Sequence, residues 1–110
     1  MTRFSLDQLK KSKATQELNF INRGVEKECL RVDTSGKLSQ KDHPLALGSA
    51  LTNPFITTDF SEALMELVTP TFTSANEVID FLTALHVFVN KNLKKELLWP
   101  MSMPCTIDSD

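Results

Sequence analysis

The 110 residues carry 12 Lys+Arg against 14 Asp+Glu, a formal net charge of −2, with 41% hydrophobic and 24% charged residues. These globular values exclude a disordered tail or a coiled coil, and without a Lys/Arg block neither nucleic acid nor an anionic membrane is an expected partner. A chain this long buries ~60–70% of its unfolded surface, which predicts one compact domain with one core.

The first predicted element is a short helix. Ser5-Leu6-Asp7-Gln8 has capping-box spacing, Phe4, Leu6 and Leu9 form an apolar side, and Lys10, Lys11 and Lys13 crowd its end. Leu18, Phe20 and Ile21 carry a second apolar stretch to a break at Arg23-Gly24. From Gly24 to Asp33 the pattern becomes strand-like, and Thr34-Ser35-Gly36-Lys37 makes a turn. Residues 42–54, with two prolines and a glycine, read as a loop with one helical turn. Phe55 to Phe60 favours a strand, as does Ser61 to Thr69 before Pro70. Ser74-Ala75-Asn76-Glu77 has a second capping-box spacing. Val78, Leu82, Leu85 and Val89 then recur at helical intervals, predicting a helix over 74–95 stopped by Trp99-Pro100. The order of elements predicts an α+β fold, an antiparallel sheet with flanking helices packed on one face.

Cys29 and Cys105 belong to no CxxC pair, so two free thiols are expected. Met1–Asp7 has no apolar h-region and no run approaches the ~20 apolar residues of a membrane span, so the expected location is cytoplasmic.

The acids are the unusual feature. At period two, Glu26, Glu28, Leu30 and Val32 share one face of the first strand, and Val25, Lys27, Cys29 and Arg31 share the other. Asp59 follows Ile56-Thr57-Thr58, and Glu66 lies among Leu64, Met65, Leu67 and Val68. Carboxylates on apolar strands repel one another unless a cation lies between them. Hard divalent ions want such oxygen ligands, so the pattern suggests a magnesium–phosphate site. The competing reading is a solvated E-x-E face, with Glu66 paired to Arg31 or Lys27. If the acids are ligands, Glu26, Glu28 and Glu66 should share one concavity, with Val25, Met65 and Leu67 under the 74–95 helix. His43 shows no partner, and His86 reads as a histidine on a helix surface or a satisfied, partly buried one rather than a ligand.

Four stretches together are specific: Gly24-Val25-Glu26-Lys27-Glu28-Cys29-Leu30-Arg31-Val32, His43 to Thr52, Ile56 to Glu66, and Trp99 to Cys105. In this order they resemble the amino-terminal part of the proteobacterial-type glutamate–cysteine ligases. The resemblance implies a glutamine-synthetase-like sheet and ATP-dependent ligation of L-glutamate, through its γ-carboxylate, to L-cysteine. That reaction proceeds by a γ-glutamyl phosphate and begins glutathione synthesis. By motif, Glu26, Glu28, Asp59 and Glu66 match metal ligands for Mg2+, and Phe60 matches an aromatic of the cysteine pocket. ATP enters as substrate. Cys29 departs from the family's threonine, on the face opposite the acids.

On this resemblance residues 1–110 are an incomplete, amino-terminal portion of a single larger ligase domain. The remaining ligands and nucleotide contacts are then expected elsewhere, and the chain alone is expected to self-associate or to need the rest of the ligase. The alternative is a small non-catalytic interaction module derived from such a ligase.

Overall fold

A computed structural model describes residues 5–108. Phe4, assigned to the apolar side of the first helix, lies outside them. That helix, α1 (Leu6–Lys11), is held by its capping box: Ser5 N–H donates to Gln8 Oε1 at 2.9 Å and Gln8 N–H to Ser5 Oγ at 3.3 Å. It buries no residue, and Leu6 and Phe20 stay 74% and 70% exposed. The expectation that helices at both ends pack on the sheet therefore fails for α1. Local hydrogen bonds form it, and 3-10 turns at Lys13–Thr15 and Glu17–Phe20 lead away from it.

The sheet follows the alternation. Strands β1 (Glu26–Asp33), β2 (Ile56–Thr58), β3 (Leu64–Val68) and β4 (Glu96–Leu98) lie in the order β2-β3-β1-β4, with every pairing antiparallel. In β3 each inward residue, Met65 and Leu67, is fully buried, and its neighbours are half-buried. The predicted turn after β1 forms as read: Asp33 Oδ1 accepts from Ser35 N–H and Lys37 N–H, and Gly36 takes φ 84°. Between β1 and β2 the loop contains one 3-10 turn, Leu45–Leu47.

Helix α2 (Ala75–Asn92) covers one face of the sheet. Its stripe of Leu82, Leu85 and Val89 meets Leu47, Ile56, Met65, Leu67 and Leu93 in the core. Burying each large apolar side chain contributes about 1.5–3 kcal/mol, enough to hold the helix without help at its start. The expected capping box at 74–77 does not form, since Ser74 makes no side-chain cap bond. Val25, assigned to the layer under this helix, is 37% exposed, beyond the end of the core.

The helix also ends earlier than its periodicity suggests. Leu93 is its C-cap, Lys95 turns the chain at φ 59°, and Glu96–Leu98 becomes β4 against Arg31–Asp33. Trp99-Pro100 follows that strand and does not stop the helix. The expected compactness is also not met. The radius of gyration is 18.7 Å in a body of 57 × 29 × 22 Å, against about 13 Å for a compact chain of this length. No helix among the described residues is long and apolar enough to cross a membrane.

Candidate carboxylate site

The register of the sheet decides which side chains meet. Glu28 lies opposite Glu66, and Glu66 opposite Thr57. Directly opposed residues point to the same face, so these three form a row across β1, β3 and β2. Glu26 is opposite Val68, two residues along the same face, and Asp59 follows β2 two residues after Thr57. The other face carries Lys27, Cys29 and Met65, toward α2.

Electrostatics agree with the register. Partial burial pushes the Glu66 carboxyl above the ordinary carboxylate range, and the negative charges of Glu26, Asp59 and Glu28 push it further. Three acids, two from β1 and one from the corner after β2, therefore act on one half-buried carboxylate. Like charges directly opposed across strands are destabilising unless something neutralises them.

The gathering is looser than the expected concavity. Glu28 borders a shallow cavity of about 370 Å³ with Leu30, Leu64, Trp99 and Met103. Glu26 borders a separate one of about 530 Å³ with Gly24, Val68 and Thr71. Among the described residues no three of His, Cys, Asp and Glu converge closely enough to hold a metal ion together. Spacing is the reason: Glu26 and Glu28 sit two strand rises apart, about 6.8 Å. The donor set is all carboxylate oxygen, the chemistry that a hard cation takes.

Glu66 does not pair with Arg31 or Lys27, because both lie on the opposite face. Arg31 is fully buried and bonds Glu96 at 2.8 Å. Lys27 Nζ donates to His86 Nε2 at 2.9 Å beside a cleft of about 710 Å³ lined also by Asn90 and Trp99. Burial and the Lys27 charge hold His86 below its ordinary value. His86 thus has a partner across the core face: period two puts Lys27 on the Cys29 face, and the packing of α2 on that face brings the two together.

The remaining singled-out residues fall as follows. Phe60 is 95% exposed at the corner after Asp59, with no wall around its ring. His43 is half-buried; burial first, then the Arg31 charge, keeps it below its ordinary value. Its ring nitrogens have no hydrogen-bond partner among the described residues. Cys29 and Cys105 are buried free thiols, and burial raises Cys29 although Lys27 opposes the shift. Trp99 Nε1–H donates to Met103 O at 2.8 Å, which folds the Trp99–Cys105 stretch back beside the acidic face.

Comparison with known proteins places the chain. The family model described as glutamate-cysteine ligase matches residues 6–110. The glutamate–cysteine ligase of Wigglesworthia glossinidia brevipalpis is 54% identical over 88 residues, 80% of this chain and 17% of that protein. That of Alcanivorax borkumensis is 53% identical over 97 residues, 88% of this chain and 18% of that protein. Among solved structures, the Francisella tularensis glutamate–cysteine ligase in complex with AMP matches with a TM-score of 0.76 and 41% identity, over 79% of this chain and 18% of that one. A bifunctional glutathione synthetase from Pasteurella multocida matches with a TM-score of 0.82 and 28% identity, over 89% and 14%. The chain thus spans under a fifth of the length of these relatives. Over nearly all of its own length, in sequence and in fold, it belongs to the glutamate–cysteine ligase family.

Proposed function

We propose that this chain is the amino-terminal portion of a single larger, cytoplasmic ligase domain. The whole ligase joins the γ-carboxylate of L-glutamate to the amine of L-cysteine at the expense of ATP. Family membership and the short share of each relative's length support this. The observation that carries it is the carboxylate row: Glu66 half-buried, facing Glu28 across the strands, and crowded by Glu26 and Asp59.

In this reading Glu28 and Glu66 offer one cation an oxygen from each of two rigid strands. Glu26 and Asp59 hold its neighbours. Phe60, exposed beside Asp59, packs against the cysteine side chain. When bound, magnesium neutralises the phosphates of ATP and aligns them for in-line attack by the glutamate carboxylate. Strand-borne acids restrict the ions better than loop acids would. The remainder of the ligase supplies the other ligands and the nucleotide contacts.

The test is a magnesium titration of the chain, followed through the side-chain carboxyl carbons by NMR. Shifts should begin at Glu28 and Glu66 and extend to Glu26 and Asp59, and Glu66→Gln should weaken binding about tenfold. Magnesium shifts confined to other acids would overturn the assignment.

A further inference from the structure

Behind the acidic face, Arg31 gathers more of the chain than any role in β1 requires. Its guanidinium is fully buried. Nη1 donates to Glu96 Oε1 at 2.8 Å and to Asp42 O at 3.2 Å, and Nη2 donates to Lys41 O at 2.7 Å and Glu62 O at 3.0 Å. Four of the five guanidinium donors are thus used, and among the described residues only Nε lacks a partner. Ser39 Oγ–H also donates to the Glu96 oxygen that Arg31 holds, Oε1.

The chain around Glu62 is where this matters. Arg31 N–H donates to Ala63 O at 2.7 Å, so side chain and main chain of one residue hold two successive carbonyls. Glu62 Oε1 in turn accepts from His43 N–H at 2.8 Å. The corner between β2 and β3 closes through Asp59 N–H to Leu64 O at 3.1 Å and Leu64 N–H to Ser61 O at 3.0 Å. That corner carries Asp59 and Phe60. Its front is open to solvent, so its conformation is set from behind.

We propose that Arg31, locked by Glu96, is a positioning residue for the Asp59–Ala63 corner. Through that corner it sets how well Asp59 joins Glu66 in holding the metal. The metal half rests on the function proposed above; the positioning half rests on the hydrogen bonds alone. A planar fork anchored on a buried acid fixes four acceptors at once. An ammonium in its place is a point charge with at most three donors.

The experiment uses the 110-residue chain as wild type, Arg31→Lys and Glu96→Gln. It measures amide hydrogen exchange and the magnesium dissociation constant, with Glu66→Gln as the comparison. In Arg31→Lys the Asp59 and Leu64 amides should exchange about tenfold faster while those of α2 keep their rates. Magnesium should bind about tenfold more weakly. Glu96→Gln, which keeps an acceptor oxygen and guards against a variant that fails to fold, should show the same pattern more mildly. Glu66→Gln should bind magnesium about tenfold more weakly without changing exchange at the corner. Unchanged rates at Asp59 and Leu64 in Arg31→Lys would overturn the proposal, as would equal acceleration throughout α2 and the β1–β3 ladder. If the wild-type chain takes up no magnesium, the metal reading fails, and the exchange contrast still decides whether Arg31 positions the corner.

Discussion

Glu66 concentrates the chemistry of this chain in one side chain. Its neighbours in sequence are apolar, its neighbour across the strands is Glu28, and its carboxyl is held above the ordinary range by burial and three acids. The folded chain therefore binds the Glu66 proton more tightly than the unfolded chain does. The penalty is absent below the unfolded value, ordinarily 4.5, grows as pH rises through the raised folded value, and stays constant above it. Glu66→Gln should accordingly stabilise the metal-free chain at pH 7 by about 0.2–1 kcal/mol, the range for opposed like charges, and much less at pH 4. Urea unfolding at both pH values checks this. Adding magnesium should reduce the difference at pH 7, and an equal gain at both pH values would mean that the acids do not interact. Period two was enough to put these acids on one face. It said nothing about Glu28 meeting Glu66, because register belongs to the pairing of two strands whose facing acids are 38 residues apart.

Among the elements, the two capping-box spacings fared differently for a physical reason. At Ser5 nothing but local hydrogen bonding is available, and the box forms. At Ser74 the core stripe of α2 already fixes the helix, and the side-chain cap is unused. The missed element is β4. Leu93, Glu96 and Leu97 continue a helical spacing, and a three-residue strand is too short to show alternation of its own. Burial of Glu96 against Arg31 makes it a strand. The cost lies at Lys95, a non-glycine residue at φ 59° in the connecting turn. Lys95→Gly removes a left-handed strain of about 1–2 kcal/mol and adds about 0.5–1 kcal/mol of unfolded-state entropy. The variant should melt a few degrees higher. A lower melting temperature would show that the lysine side chain contributes more than its backbone costs.

The whole molecule is elongated, with short strands β2 and β4 at the sheet edges and an acidic open face between them. Leu45, Leu51 and Phe60 are each at least 95% exposed. Unpaired edges and exposed apolar side chains favour association. Residues 1–110 purified alone should sediment as dimers or larger species. They should release no ADP with glutamate, cysteine, ATP and magnesium, because in the function proposed above the carboxylate row supplies only some of the metal ligands and the rest of the ligase supplies the others. Cysteine-dependent ADP release from a monomer would mean that the catalytic groups are all contained in this segment.

Alternation and composition alone determined the α+β class, the faces of β1 and β3, the core stripe of α2 and the turn after Asp33. Each depends on residues close in sequence, where side-chain period and turn chemistry act directly. The motifs, read together, also determined the family. Tertiary structure alone decided the row of Glu28 and Glu66, the strand at Glu96–Leu98, the Lys27–His86 contact and the buried Arg31–Glu96 pair. Those partners lie between 38 and 67 residues apart. A contact over that distance exists only once the chain has folded, when excluding water makes one arrangement of charges cheaper than the rest.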